Sequence, residues 1–252
     1  MSLWINQEIK VANISIPKCA SEYMENLLKK YNFKIYIDDL LQSKSENKSK
    51  NEKYKYIKYR VDNGLKNITN LADYNVFSVV RNPYERFLSG FLFLYGKPLI
   101  IKSDKPKLES NSDVIQSRSC FSRGGIERIN YNTIDEIIQN MDNLYNNNIY
   151  VYGHLFIKQC YIIDSLKCLK KTFIKLENLD EELTNFFKII NLEYNPIKKM
   201  NANHKYYETW EYFTDNSIKF INDYFNDDFI RFGYNKFNNI NEMKNYYENK
   251  NI

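Results

Sequence analysis

Four residues carry the chemistry that is easiest to read from this chain: Lys18 and Ser21 in one stretch, Arg81 and Ser89 in another. Each stretch joins a cation to a hydroxyl around a turn. The first reads Ile14-Ser15-Ile16-Pro17-Lys18-Cys19-Ala20-Ser21-Glu22-Tyr23. Its small Cys19 and Ala20 let the backbone come close to a ligand. The second runs VFSVVRNPYERFLSGFLFLY over residues 76–95. There Arg81 offers a planar fork that matches a phosphate bidentately, and Arg86 and Ser89 follow within two helical turns. A lone arginine more often caps a helix or pairs with a carboxylate. Two cation-and-hydroxyl turns together point instead to a ligand with two separate anionic groups.

The elements around each turn are strand, then helix. Val76 to Val80 is a β-branched apolar run, the pattern of a buried parallel strand. Asn82, Pro83 and Glu85 then suit N-cap, N1 and N3 of a helix. Phe87, Leu88, Phe91, Leu92 and Tyr95 recur at helical spacing, and Gly96 and Pro98 stop it. The first stretch repeats the plan, with a strand over Lys10–Ile16 and a helix over Ala20–Tyr31. In an open α/β sheet, ligands bind beyond the carboxyl ends of the strands, where helix N-termini offer unpaired N–H groups to anions.

Further along, Phe33–Ile37 reads as a second strand. Residues 42–53 are polar and of low complexity, and 102–125 form the longest irregular stretch, carrying Arg118 and Arg123. Tyr54–Val61 fits strand or helix, and Gly64–Tyr74 fits a helix leading into the strand at Val76. Thr133 with Glu136 forms a capping box for a helix over Ile134–Met141, broken by Asn143–Asn148. Phe173–Leu176 is another strand. Asn178 with Glu181 caps the next helix, Thr214 opens a last one, and the polar tail from Asn235 is expected to fray.

The chain has 252 residues, enough for one α/β domain. Its net charge of +5 suits an anionic ligand, and no basic face stands out to argue for nucleic acid. The four cysteines, Cys19, Cys120, Cys160 and Cys168, form no CxxC pair and no disulfide-dense framework. No apolar run is long enough for a signal peptide or a membrane span, so the expectation is a soluble, cytoplasmic protein.

IPKCASEYMENLL resembles the 5′-phosphosulfate loop of the sulfotransferases, and VVRNPYERFLSGF resembles their 3′-phosphate motif. The look is nearest to the carbohydrate sulfotransferases of the Golgi type. The first motif departs at Glu22, where the family usually has Ser or Thr. His154 followed by Gln159 resembles a family His…Gln pair, with one extra residue between them. Glu177 after its strand, the loop Met200–Lys205, and Asp228-Phe229…Phe232-Gly233-Tyr234 also have counterparts. The resemblance covers roughly residues 11–234. It implies a single α/β domain over 1–234 with a P-loop-like, three-layer fold: a central, mainly parallel sheet flanked by helices.

The resemblance also implies a cofactor, 3′-phosphoadenosine 5′-phosphosulfate, and a hydroxyl acceptor, with a glycan favoured. Lys18, Cys19, Ala20, Ser21, Glu22 and Tyr23 would form the 5′ side of the donor site. Arg81 and Ser89 would hold the 3′-phosphate, and Lys205 would lie in a loop closing over the nucleotide. Lys18 would also stabilise the negative charge that develops on the bridging oxygen, without a metal. The base is open. His154 and His204 are the two imidazoles, and Asp38, Asp39 and Asp62 are rivals. Two other classes compete. A P-loop nucleotide kinase would share the anion site, but the Pro17–Ser21 turn has no glycine and no G-x-x-x-x-G-K-[ST] is present. A non-catalytic nucleotide- or polysaccharide-binding relative would be consistent with the departure at Glu22.

Overall fold

The computed structural model describes residues 2–37, 71–95, 131, 133–147, 149–164, 166, 168–197 and 209–250. The alternation of short apolar runs with amphipathic segments produces strands β1 (Leu3–Asn6), β2 (Val11–Ile14), β3 (Lys34–Ile37), β4 (Leu71–Val80) and β5 (Cys168–Lys175). They form a sheet in the order β3-β1-β2-β4-β5. β1 is antiparallel to its neighbours β2 and β3, whereas β2–β4 and β4–β5 pair in parallel. Only β1 therefore runs against the rest, as expected for a mainly parallel sheet. β1 itself adds to the expected set. Leu3, Trp4 and Ile5 are buried, and Asn6 Oδ1 turns the chain by accepting the N–H groups of Glu8 (3.0 Å) and Ile9 (3.3 Å).

β4 starts at Leu71, so the helix expected over Gly64–Tyr74 is strand in its described part. The parallel ladder to β5, from Leu71↔Cys168 to Val80↔Lys175, holds it there. Both faces of its second half are covered, and Val76, Phe77, Ser78, Val79 and Val80 are all buried.

The helices are α1 (Ser21–Lys30), α2 (Pro83–Tyr95), α3 (Ile134–Gln139), α4 (Met141–Asn147), α5 (Ile149–Leu155), α6 (Gln159–Asp164), α7 (Leu179–Ile189), α8 (Asp215–Tyr224), α9 (Asn226–Phe232) and α10 (Ile240–Lys250). Two apolar cores result. One joins the sheet to α1, α6 and α7, with Phe77 against Phe186 at 4.4 Å between ring centroids. The other surrounds α2, whose Tyr84, Phe87 and Phe91 meet side chains from α3, α5, α8, α9 and α10.

Three local expectations change. Residues 143–147 continue as helix α4 instead of breaking, because Leu144 is fully buried in the second core and outweighs the low helix propensity of asparagine. Asn178 makes no side-chain cap bond, and a single 3₁₀ turn over Leu176–Asn178 leads into α7. Thr214 does open a helix, in a reciprocal box with Ser217, but α9 and α10 follow it. The tail does not fray: Phe237, Met243 and Tyr247 are buried against the second core. Residues 38–70 and 96–130 lie outside the described set, and with them Asp38, Asp39, Asp62, Arg118 and Arg123. His204, Lys205 and the rest of 198–208 lie outside it too.

Candidate functional site

The turn after β2 has an unusual backbone. Lys18 (φ 68) and Ala20 (φ 55) both take the left-handed conformation, which costs a non-glycine residue about 1–2 kcal/mol. Such strain collects where the backbone has a ligand to meet. Cys19 N–H closes the turn on Ile16 O at 3.2 Å. Ala20 is the N-cap of α1. No side chain caps α1 there, and the first turn of a helix is the arrangement that binds anions.

The side chains of this turn divide sharply. Ser21 and Glu22 are exposed, and Lys18 is half-buried with Nζ 3.8 Å from the centre of the Phe93 ring. Cys19 points inward; its thiol donates to Gln159 Oε1 at 3.3 Å. Burial pushes this thiol up to about 12, with Arg86 and Arg81 opposing the shift, so it stays neutral and is no nucleophile at physiological pH. Tyr23 is also a core residue. Tyr194 spends its proton on Asp180 (2.9 Å), so the Tyr23 hydroxyl donates to Tyr194 (2.7 Å). Only the backbones of Cys19 and Tyr23 remain for the donor role expected of them.

The second turn follows β4, the parallel neighbour of β2. Arg81 is 5% exposed. Its Nη1 donates to Lys18 O at 3.4 Å and its Nη2 lies 3.5 Å from Glu85 Oε2. Its buried Nε has no hydrogen-bond partner among the described residues. Asn82 caps α2, its Oδ1 accepting Tyr84 N–H at 3.0 Å, and its own N–H goes to Glu177 Oε1 at 2.8 Å. Glu177 also accepts the Tyr234 hydroxyl at 2.8 Å. The expected Asn82-Pro83 helix start is therefore present, and the acidic residue after β5 holds it in place.

Arg86 is held differently from Arg81. It is 1% exposed and its Nη2 donates to Leu155 O (3.3 Å) and Ile157 O (2.7 Å) at the end of α5. Its Nη2 is bonded to backbone carbonyls rather than to a carboxylate, and its buried Nε and Nη1, like Arg81 Nε, have no hydrogen-bond partner among the described residues.

Along α2, Glu85, Ser89 and Phe93 are spaced four apart, which puts them on one stripe. All three are half-buried, between neighbours that are mostly buried. Glu85 meets Arg81 and Phe93 meets Lys18, so the stripe with Ser89 at its middle runs between the two cationic turns. His154, in the last turn of α5, stacks on Phe93 with ring centroids 5.9 Å apart and planes 18° apart. Gly90 permits that approach, since a Cβ there would lie 2.8 Å from Leu155 Cδ2 and 3.3 Å from His154 O. The structure thus sets Lys18 and His154 against the same Phe93 ring and Arg81 against Lys18 O, with Ser89 on the stripe between them.

Phe93 and Gln159 are the functional neighbours that the sequence left without a role. For Phe93 a signal existed: it stands four residues after Ser89 on the same helix. A separate cleft of about 750 Å³ lies elsewhere, lined by Tyr152, Phe156, Lys158, Cys160, Tyr224 and Arg231 among others, and includes neither Lys18 nor Arg81. Among the described residues, no cluster of three or more His, Cys, Asp or Glu is placed to hold a metal. Nor is any helix among them long and apolar enough to cross a membrane.

Comparison with curated proteins gives no match, and comparison with solved structures gives none either. A profile described as Sulfotransferase family matches residues 1–235, most of the chain and both of the turns described above. On that match the chain belongs to the sulfotransferase family.

Proposed function

We propose that the chain moves a sulfonate from 3′-phosphoadenosine 5′-phosphosulfate to a hydroxyl of a carbohydrate acceptor. One observation carries the donor half of this reading. Two cationic turns stand at the carboxyl ends of neighbouring parallel strands, with Arg81 touching the backbone of Lys18 while its buried Nε is left without a partner among the described residues. A buried donor without an acceptor costs about 1–3 kcal/mol, and a phosphate oxygen supplies the acceptor. Membership of the family supports sulfonate transfer. The resemblance to Golgi-type enzymes supports a carbohydrate acceptor.

The bound donor supplies an activated sulfonate whose bridging oxygen gains negative charge as its bond to sulfur breaks. Lys18 provides the positive charge for that oxygen. Ser21 and the N–H groups at the start of α1 hold the 5′-phosphate. Arg81 and Ser89 hold the 3′-phosphate, and Lys205 closes over the nucleotide. The His154 imidazole, kept beside the Lys18 turn by Phe93, takes the proton of the acceptor hydroxyl.

Calorimetry tests the donor site. Adenosine 3′,5′-bisphosphate is expected to bind about ten- to a hundredfold more tightly than 5′-AMP, since a charge-assisted bond contributes roughly 1.5–3 kcal/mol. Equal affinities would remove Arg81 and Ser89 from phosphate recognition. Because lysine, arginine and backbone N–H hold the anions, transfer of labelled sulfonate is also expected to persist in excess EDTA. Loss of turnover that added Mg²⁺ restores would favour phosphotransfer instead.

A further inference from the structure

Gln159 is fully buried at the start of α6, and its amide reaches both anion-binding turns. Oε1 accepts the Arg81 N–H at 2.9 Å and the Cys19 thiol at 3.3 Å. Nε2 donates to Arg81 O at 2.8 Å and approaches Asp228 Oδ2 at 3.5 Å. Both lone-pair directions and both N–H bonds of the amide are thus in use. The partners also fix its orientation: turned over, the NH₂ group would face two donors. Asp228 holds the Gln159 backbone in turn, accepting the N–H groups of Gln159 (2.9 Å) and Cys160 (2.8 Å).

We propose that Gln159 is a positioning residue that locks the 5′ turn to the 3′ turn, so that they act as one site for a nucleotide carrying both phosphates. The proposal rests on the donor reading above and adds to it a residue that touches neither phosphate. A ligand with one phosphate needs one turn in place. A ligand with two needs both turns in register at once, and gains from the second contact only if the turns are already fixed relative to each other. Arg81 Nη1 links the turns directly through Lys18 O, and Gln159 adds a bond to each of them from outside both. Cys19 gives the 5′ turn its hold on the amide, and both backbone groups of Arg81 give the 3′ turn its hold.

The test compares three nucleotides by calorimetry on the full chain: adenosine 3′,5′-bisphosphate, 3′-AMP and 5′-AMP. Gln159→Leu, checked for folding by circular dichroism, is expected to weaken the bisphosphate about tenfold or more and each monophosphate less than about threefold. A purely structural role would weaken all three alike, and that outcome, or no loss at all, overturns the proposal. Cys19→Ala and Cys19→Ser give a second route that spares the core amide. The alanine variant is expected to lose selectivity for the bisphosphate about threefold, and the serine variant, whose hydroxyl still donates, to recover it. No difference between the two overturns the proposed link through Cys19. If the unaltered protein does not prefer the bisphosphate, the donor reading fails on its own. The lock is then judged by hydrogen exchange of the Arg81 amide, which Gln159→Leu is expected to accelerate; unchanged exchange overturns it.

Discussion

Lys18→Ala is expected to lower kcat for sulfonate transfer by ~10²–10³-fold, the usual loss when one preorganised electrostatic donor is removed from a transition state. Affinity for adenosine 3′,5′-bisphosphate is expected to change far less, because the bridging oxygen acquires its charge only as the bond breaks. The fold should survive. Lys18 is half-buried and its Nζ lies on the Phe93 ring, a contact contributing about 0.5–1 kcal/mol at a site open to water. Alanine adds no strain that lysine does not already bear at φ 68. Lys18→Arg should rescue poorly, since a planar guanidinium neither fits the place of a compact ammonium nor gives up its proton. The measurements are single-turnover transfer and calorimetric affinity on the same folded sample. Near-normal kcat in Lys18→Ala would take this residue out of the mechanism.

The largest stability effect is expected at Asp228. Its carboxylate is fully buried and accepts two backbone N–H groups at the start of α6. Asp228→Ala leaves both donors buried without an acceptor and is expected to cost about 3 kcal/mol, given roughly 1.5–3 kcal/mol for a hydrogen bond to a charged group. Asp228→Asn keeps one acceptor of the same shape and should cost about half as much. Urea unfolding of the two variants measures the difference. A loss below about 1 kcal/mol for Asp228→Ala would mean that the α6 start is held by other contacts.

The turn at Arg81 was legible because its signals are local. Val76 to Val80, Asn82-Pro83 and the spacing of Phe87, Leu88 and Phe91 each specify the same strand, turn and helix. The first turn was legible as a motif, but its left-handed Lys18 and Ala20 were not, since neither is glycine. What the sequence could not show is which side chains meet across distance. Gln159 stands 140 positions from Cys19 and 78 from Arg81. The placing of His154 beside Phe93 depends on how closely α5 approaches α2 at Gly90. Arg86 reads as a weaker candidate than Arg81 with a structural ion pair as its alternative, and its bonds to Leu155 O and Ile157 O depend on the packing of α5. The last helix was missed for a different reason. Its abundant Asn, Lys and Glu suggested a solvated tail, although Phe237, Ile240, Met243 and Tyr247 recur three to four residues apart.

Helix α10 also sets an order of assembly for the site. The Tyr247 hydroxyl donates to Glu85 Oε1 at 3.2 Å, and the other oxygen of Glu85 faces Arg81. The support behind the Arg81 turn therefore comes from a residue 162 positions further along the chain than Glu85. The sheet and the Lys18 turn can form while the chain is still on the ribosome, since domains begin to fold from the N-terminal side. The Arg81 side of the site waits for α10, and until α10 is made the second core lacks Met243 and Tyr247, the latter stacked on Trp210.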